Sequence, residues 1–535
     1  MIDVTSHNFA EVYPHLERAL KDASFIAIDT ELTGLEVDAK ISLFDSINER
    51  YEKQKRNIEP HIIIQFGICT FQRVQHENKY TAEIFNFFLL PKNIPSMNRS
   101  FVWQVAALEF LSKHGFDFNE LMYNGISYLN ESEEAFLQQQ LQNNMLFHNL
   151  RQSLSFEEED DLNSYINQVA EWLKTADEVN LLKVVTPTPL LQYIAHKELR
   201  NYFPNVWTTS GNNVVTVMKV LPGSREVLQN EEGSILENAI LDLYAGFSKI
   251  FKLLVTLKKP LIAHNAFLDL MFMHQQFYRP LPKNYIDYKT ATHKMFPKIY
   301  DTKFLSFRLK ELLDTEVQWK RTSLGDLFEY FTRDRGKYID FGSPDIILTS
   351  KLEKSDVTSS PKYHNAGWDS YFAGYVFIRM AHIFAKKQYG QSSALKEYTH
   401  TELMNSVKDF ANCVNVIRGD ISHLRLDGPE PESTRPNWLY VKPLSSRSIS
   451  ASQIAEKMSV FGTVDVKQYT SKRVLVAVTN HGSARDILRH FSQNKELYVT
   501  PYNPIRHSPS IQLILWGSLV VSSGLIALLK FHKFS

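Results

Sequence analysis

Two carboxylates one residue apart, Asp29 and Glu31, end the apolar run Phe25-Ile26-Ala27-Ile28. On a strand, residues i and i+2 share a face, so the run reads as a strand that presents both carboxylates side by side. Such a pair repels unless a cation lies between its oxygens, and hard oxygen ligands suit Mg²⁺ or Mn²⁺ together with a substrate phosphate. Two residues alone read more readily as a strand ending in a polar turn, so their partners decide. Asp269 lies one helical turn after Asn265, in a short apolar strand, Leu261-Ile262-Ala263-His264-Asn265, that runs into a helix. Asp369 lies five residues after His364, on the first turns of the helix continuing through 372–387. Four carboxylates from three strand-end or helix-start positions are what two divalent ions about 3.5–4 Å apart need to clamp an in-line phosphoryl displacement. His364, with an ordinary pKa of about 6.5, is suited to taking the proton from an attacking water.

The elements that must position these groups follow from periodicity. A first amphipathic helix is expected over 3–22, then the carboxylate strand, a polar excursion over 35–57, and strands over 61–71 and 81–90. The three strands with hairpin-scale connections would form the antiparallel part of a mixed sheet. Helices follow around 101–114 and 132–149. An acidic run, Glu157-Glu158-Glu159-Asp160-Asp161, opens a helix leading into a small insert. One long amphipathic helix is expected over 235–257, before the Asp269 segment. A strand-to-turn signal lies at Ile299-Tyr300-Asp301-Thr302-Lys303, and 322–360 reads as a polar region. A linker, Asp427-Gly428-Pro429-Glu430-Pro431, precedes a βαββαβ pattern over 438–500, the ferredoxin-like order of RNA-recognition motifs. The domains are therefore set at 1–150 and 235–410 for the two halves of the principal α/β domain, 151–234 for a small α/β insert, 411–436 for the linker and 437–505 for the RRM-like domain.

A chain of 535 residues is too long for one core. Lys+Arg and Asp+Glu both number 59, so a basic groove for an anionic partner must be local. Two cysteines, Cys69 and Cys413, are too few for a disulfide framework and fit a reducing compartment. The first residues carry no basic or apolar leader pattern. Residues 511–529 are almost wholly apolar and uncharged, about 28 Å as a helix, which predicts a transmembrane tail anchor with the rest of the chain facing the cytosol.

The ordered set Asp29-x-Glu31, His264-Asn265-x-x-x-Asp269 and His364-x-x-x-x-Asp369 resembles the DEDDh superfamily of 3′-to-5′ exonucleases. Flanking text, including Gln65-Phe66-Gly67-Ile68-Cys69 and Phe277-Tyr278-Arg279-Pro280-Leu281, resembles the poly(A)-specific ribonucleases along nearly the whole chain. The apolar C-terminus is similar to that of the PARN-like branch, the membrane-tethered trimmers of piRNA precursors. The resemblance implies an RNase H-like mixed-sheet nuclease domain, two Mg²⁺ ions (Mn²⁺ substituting) on Asp29, Glu31, Asp269 and Asp369, and His364 as general base. It implies trimming of the 3′ end of single-stranded RNA to release 5′-mononucleotides. Deadenylation of messenger RNA and a silent membrane-tethered adaptor are the alternatives.

The insert lies where that family has an Arg-x-x-x-His single-strand-binding signature, but Gln192 stands four residues before His196, which counts against RNA binding there. Arg279 and Lys303 are candidates for RNA phosphate or for solvated surface. Tyr440 stands where a base-stacking aromatic would, although the strand Arg473-Val474-Leu475-Val476-Ala477-Val478 has no aromatic; dimerisation or scaffolding ranks just ahead of RNA binding for this domain. His264 and Asn265 are expected to bond backbone at the strand end, and Phe272, Phe277 and Tyr278 to be core. The resemblance further implies a membrane-associated Argonaute- or Tudor-type partner presenting the RNA, a homodimer, and the mitochondrial outer membrane, with the endoplasmic reticulum as the alternative.

Overall fold

The computed structural model describes the chain except residues 37–39, 95–96, 98, 144–145, 176–180, 212, 314–318, 320, 334–335, 337–341, 350–361, 391–396, 446–447 and 535. Of residues 175, 222, 509 and 525–534 it describes only the backbone. Two compact units emerge: residues Met1–Asp38 with Lys55–Val414, and Ala39–Gln54 with Asn415–Ser535.

In the first unit, the strands are β1 (Ile2–Val4), β2 (Phe25–Leu32), β3 (Ile63–Arg73), β4 (Lys79–Phe88), β5 (Leu182–Val185), β6 (Val206–Gly211), β7 (Val214–Lys219), β8 (Leu261–Ala263), β9 (Ile299–Asp301) and β10 (Asp345–Leu348). The main sheet runs β1-β4-β3-β2-β8-β9, with β10 also on β4. Its β2-β3-β4 core is antiparallel, whereas β8 and β9 extend it in parallel. Nearly every residue of β3 is buried, as a central strand covered on both faces requires. One cover is the helix Ala366–Tyr389, whose Phe372, Val376 and Phe377 join Phe25, Phe71 and Tyr80 in one core. This is the mixed α/β arrangement expected of the principal domain.

The structure departs from the sequence reading at several elements. Residues 2–4 form β1, so the first helix is confined to Phe9–Asp22. The single helix expected over 235–257 is two, Ile235–Ala245 and Ser248–Leu257, broken at Gly246 with φ +38°. A Cβ there would lie 2.2 Å from the Ser127 carbonyl oxygen, so the break lets the chain pass close to that backbone. The polar region 322–360 contains the helix Leu324–Thr332 and edge strand β10. The excursion 35–57 contains all but the last residue of the helix Ile47–Ile58. Inside the insert, β5-β7-β6 form an antiparallel sheet beside the helix Pro189–Tyr202.

The second unit holds β13 (Leu439–Pro443), β14 (Val464–Thr470), β15 (Arg473–Val478) and β16 (Leu497–Pro501), numbered after β11 (Cys413–Asn415) and β12 (His423–Arg425). These four strands form an antiparallel sheet in the order β14-β15-β13-β16. Helices Ala451–Ser459 and His481–Phe491 cover the face carrying Leu439, Val441, Val474 and Val476. The chain ends in a helix, Pro509–Phe534. Among the described residues no helix is long and apolar enough to cross a membrane. The described side chains of this helix stop at Gly524, and residues 511–524 rise only about 21 Å, short of a roughly 30 Å hydrocarbon layer. The remainder of the expected span, 525–529, lies outside the residues whose side chains are described.

Candidate active site

Register places the acidic groups. Asp29 on β2 lies opposite Gly67 on β3, and Glu31 lies opposite Gln65. A Cβ on Gly67 would come within 1.8 Å of the Ala366 carbonyl oxygen, so glycine there lets the helix Ala366–Tyr389 begin directly over β3. Two amides inside apolar runs of β3 and β4, Gln65 and Asn86, hold that helix start. The Ala366 N–H donates to Gln65 Oε1 at 2.9 Å, and the Gly367 N–H donates to Asn86 Oδ1 at 3.2 Å. Asn365 caps the helix by accepting from the Trp368 N–H. One turn in, Asp369 reaches Asp29 and Glu31: one carboxylate oxygen from each of the three lies within 4.8 Å of the others.

Asp269 arrives differently. The turn after β8 is clamped by buried Asp301, whose carboxylate accepts from the N–H groups of Asn265 (2.8 Å), Ala266 (3.1 Å) and Lys303 (2.9 Å). Asn265 adopts φ +64° in this turn. Thr30, whose side chain alternates with those of Asp29 and Glu31, donates its hydroxyl to Asp269. Asp269 therefore stands outside the close triad but inside its field.

Electrostatics register the crowding. Burial, reinforced by the charges of Asp369, Asp269 and Glu31, holds the Asp29 carboxyl well above the usual range. Burial and the charges of Asp369 and Asp269 push Glu31 up to about 8. Burial lifts Asp369 to about 7 against the His364 N–H, and Asp269 to about 6 against the Thr30 hydroxyl. Four half-buried carboxylates with raised pKa values, Asp29 and Glu31 lifted further by their neighbours' charges, and three of the four converging, form an all-oxygen donor set suited to a hard divalent cation.

His364 enters this set through its backbone: its N–H donates to Asp369 Oδ2 at 3.1 Å, and its φ is +60°. The ring rests against Phe110 (4.7 Å between centroids) and His114 (4.2 Å) at the end of the helix Val105–Lys113. Partial burial, then the neighbouring His114, lowers its pKa and favours the neutral imidazole.

The other candidates fall elsewhere. Arg279 is ion-paired to Glu131 at 2.6 Å on the surface. Lys303 is half-buried, its pKa lowered by desolvation against the charges of Asp301 and Asp326. His264 bonds the Thr302 hydroxyl at 2.9 Å, and the Thr322 backbone also acts on its ring through a hydrogen bond. Phe272 and Phe277 are core, as expected. In the insert, His196 is fully buried between the hydroxyls of Thr208 and Ser210. Tyr440 is 4 % exposed, under the ring of His507. Sequence reasoning missed Thr30, Gln65, Asn86, Asp301 and His114. For Gln65 and Asn86 a signal was present, a lone amide within an apolar strand run.

A mixed sheet carrying these converging carboxylates, with a histidine beside the last, defines a 3′-to-5′ exonuclease of the DEDDh type. Family comparison makes the class specific: the CAF1 family ribonuclease model matches residues 4–377, and the chain belongs to that family. It is 33% identical over 535 residues to the pre-piRNA 3′-exonuclease trimmer of Bombyx mori, covering 99% of both chains. It is 30% identical to poly(A)-specific ribonuclease PNLDC1 of Mus musculus, again covering 99% of both. With poly(A)-specific ribonuclease PARN of Xenopus laevis it shares 28% identity over 89% of this chain and 77% of that one. The chain is thus a 3′-to-5′ exoribonuclease, of a class that uses divalent metals.

Proposed function

We propose that this exoribonuclease trims the 3′ ends of piRNA precursors, releasing 5′-mononucleotides with two Mg²⁺ ions held by Asp29, Glu31, Asp269 and Asp369. The observation that carries the catalytic part is the convergence of Asp29, Glu31 and Asp369 oxygens within 4.8 Å. Bound there, divalent ions would supply Lewis-acid stabilisation of the phosphoryl oxygens and a nucleophile at neutral pH. The chain's own part is positional. Thr30 orients Asp269, and the His364 N–H orients Asp369. The neutral His364 imidazole takes the proton of the attacking water at a ring nitrogen.

Similarity over the full length to a pre-piRNA trimmer supports the substrate assignment. The PARN relatives support a second reading, deadenylation of messenger RNA. Two 5′-labelled RNAs in Mg²⁺, one ending in oligo(A) and one of mixed sequence, separate the two. Equal shortening of both, abolished in Asp369→Ala, supports a base-tolerant trimmer, and shortening of the oligo(A) end alone supports a deadenylase. No shortening of either RNA would overturn both readings for the isolated chain and favour the silent adaptor.

We further propose that the helix Pro509–Phe534 tethers the chain, facing the cytosol, to the mitochondrial outer membrane, with the endoplasmic reticulum as the alternative. There a membrane-associated Argonaute- or Tudor-type partner would present the RNA. Exposed Leu513, Ile514, Trp516, Leu519 and Val520 support the tether. Carbonate-resistant pelleting of the full chain, lost on removing 508–535, tests it; a soluble full chain would refute it. By the same analogy we read the four-stranded unit as a ferredoxin-like module and the enzyme as a homodimer, which sedimentation would check.

A further inference from the structure

A general base must hold one ring nitrogen toward its proton, and little on its own segment holds the ring of His364. The N–H bond to Asp369 and the φ of +60° fix the backbone, but the side chain beyond is exposed. Both flanking side chains are engaged elsewhere. The Tyr363 hydroxyl donates to Glu329 at 3.0 Å, and Asn365 accepts from the Trp368 N–H at 3.2 Å. Among the described residues no hydrogen bond reaches the imidazole. A side chain in that position samples its staggered rotamers, of which one serves a given proton transfer.

What confines the ring comes from a distant part of the chain, the end of the helix Val105–Lys113. The His364 ring stands edge-on to Phe110, with planes 75° apart, and to His114, with planes 60° apart. Phe110 and His114 also touch each other, at 4.4 Å between centroids, so the pair forms a two-walled socket. Edge-on ring pairs are directional as well as attractive, so such a socket selects an orientation. Its two walls differ. Phe110 is 42 % exposed, whereas half-buried His114 is anchored at both backbone and ring. Its N–H bonds the carbonyls of Phe110 and Leu111 at the helix end, and its Nδ1 donates to the Phe110 carbonyl oxygen at 2.7 Å. The imidazole of His114 is therefore the fixed wall.

We propose that His114 is a positioning residue for the hydrolysis, its ring holding the His364 imidazole in the orientation that takes the proton of the attacking water. The inference rests on the reading of His364 as general base. His114 acts on the reaction only through that ring.

The test uses the full chain, a 5′-labelled RNA of mixed sequence and saturating Mg²⁺. His114→Ala should lower kcat about fivefold, the weight of one aromatic pair, with KM and the Mg²⁺ concentration for half-maximal rate each within about twofold of wild type. His114→Phe, which restores a ring without the imidazole nitrogens, should return kcat to near the wild-type value. His364→Ala should cost about 10²-fold or more, and adding His114→Ala to it should cost nothing further. Wild-type kcat in His114→Ala, beside a crippled His364→Ala, would overturn the positioning role and leave the general base standing. So would a fivefold loss that persists in His114→Phe, a rise in KM without a fall in kcat, or a further fivefold loss in the double variant. Full activity in His364→Ala would remove the general base and this proposal together.

Discussion

Replacing Gly67 by alanine adds one methyl group and should disable the enzyme. The new Cβ would meet the Ala366 carbonyl oxygen at 1.8 Å, its carbon at 2.1 Å and the Gly367 nitrogen at 2.6 Å. All three are backbone atoms, so no side chain can swing aside. To reach even 3.0 Å the start of the helix must retreat from β3 by more than about 1 Å, carrying Asp369 away from Asp29 and Glu31. Misplacement of a catalytic group by about 1 Å costs on the order of 10²-fold in rate. The overpacking itself destabilises by about 1–3 kcal/mol. Steady-state shortening of a 5′-labelled RNA should therefore show kcat reduced about a hundredfold, with melting lowered by a few degrees. Gly223→Ala, where nothing lies within 4 Å of the added Cβ, should match wild type in both assays. Wild-type kcat in Gly67→Ala would refute the claim that this contact sets the position of Asp369.

Metal binding should be legible in stability: Mg²⁺ at a hundred times its Kd should stabilise by about 2.7 kcal/mol. That shift, measured by calorimetry, should vanish in Asp29→Asn, which should also have lost at least 10³-fold in rate. Arg200→Lys removes a bidentate pair with Glu232 and a guanidinium 3.6 Å from the Trp207 ring centroid. It should lower stability by about 2–4 kcal/mol while leaving kcat within about twofold. Buried His196 has its pKa depressed to about 3 by desolvation and by the neighbouring Arg200 and Lys197. Its neutral form is favoured in the fold, so the unfolded chain binds the extra proton below about pH 6.5, and stability falls as pH drops from there toward 3. Melting followed from pH 7 to pH 5 should decline less steeply in His196→Asn; an unchanged slope would remove His196 as a cause.

The carboxylates were legible in combination: an acidic pair at the end of an apolar strand reads by itself as a polar turn, and the ordered recurrence of Asp269 and Asp369 at strand-end and helix-start positions decided it. Their supports were less so. Gln65 and Asn86 stand out as lone amides in apolar runs, but what they hold shows only when the register brings β3 and β4 beneath the start of the helix Ala366–Tyr389. Asp301 reads as a turn residue, yet it organises a different turn, the one leading to Asp269, more than thirty residues away in sequence. The helix expected over 235–257 failed for a related reason: its apolar period is continuous, and only the tertiary approach of Ser127 requires the break at Gly246. Tyr440 was the reverse case. Strand position marked it as a platform, but nothing local shows that a turn more than sixty residues later lies over it.

These supports explain how a self-repelling site persists. Left without a cation, Asp29, Glu31, Asp269 and Asp369 each favour protonation at pH values where carboxylates ordinarily ionise, through burial and, for Asp29 and Glu31, through the neighbouring charges as well. A loop would relieve that repulsion by moving apart. Here each carboxylate sits on an element whose backbone is committed elsewhere: β2 to a ladder with β3, the Asp369 helix to Gln65 and Asn86, the Asp269 turn to Asp301. Packing and hydrogen bonds remote from the charges hold the oxygens together, so the repulsion becomes affinity for a divalent ion instead of local unfolding. Weakening a support should therefore reduce metal affinity before it reduces global stability. Asn86→Ala, which removes the acceptor for the Gly367 N–H but touches no carboxylate, is the direct trial: its Mg²⁺ dependence of rate should shift to higher concentration by about tenfold. An unchanged Mg²⁺ dependence with lowered melting would show that the helix start contributes stability alone.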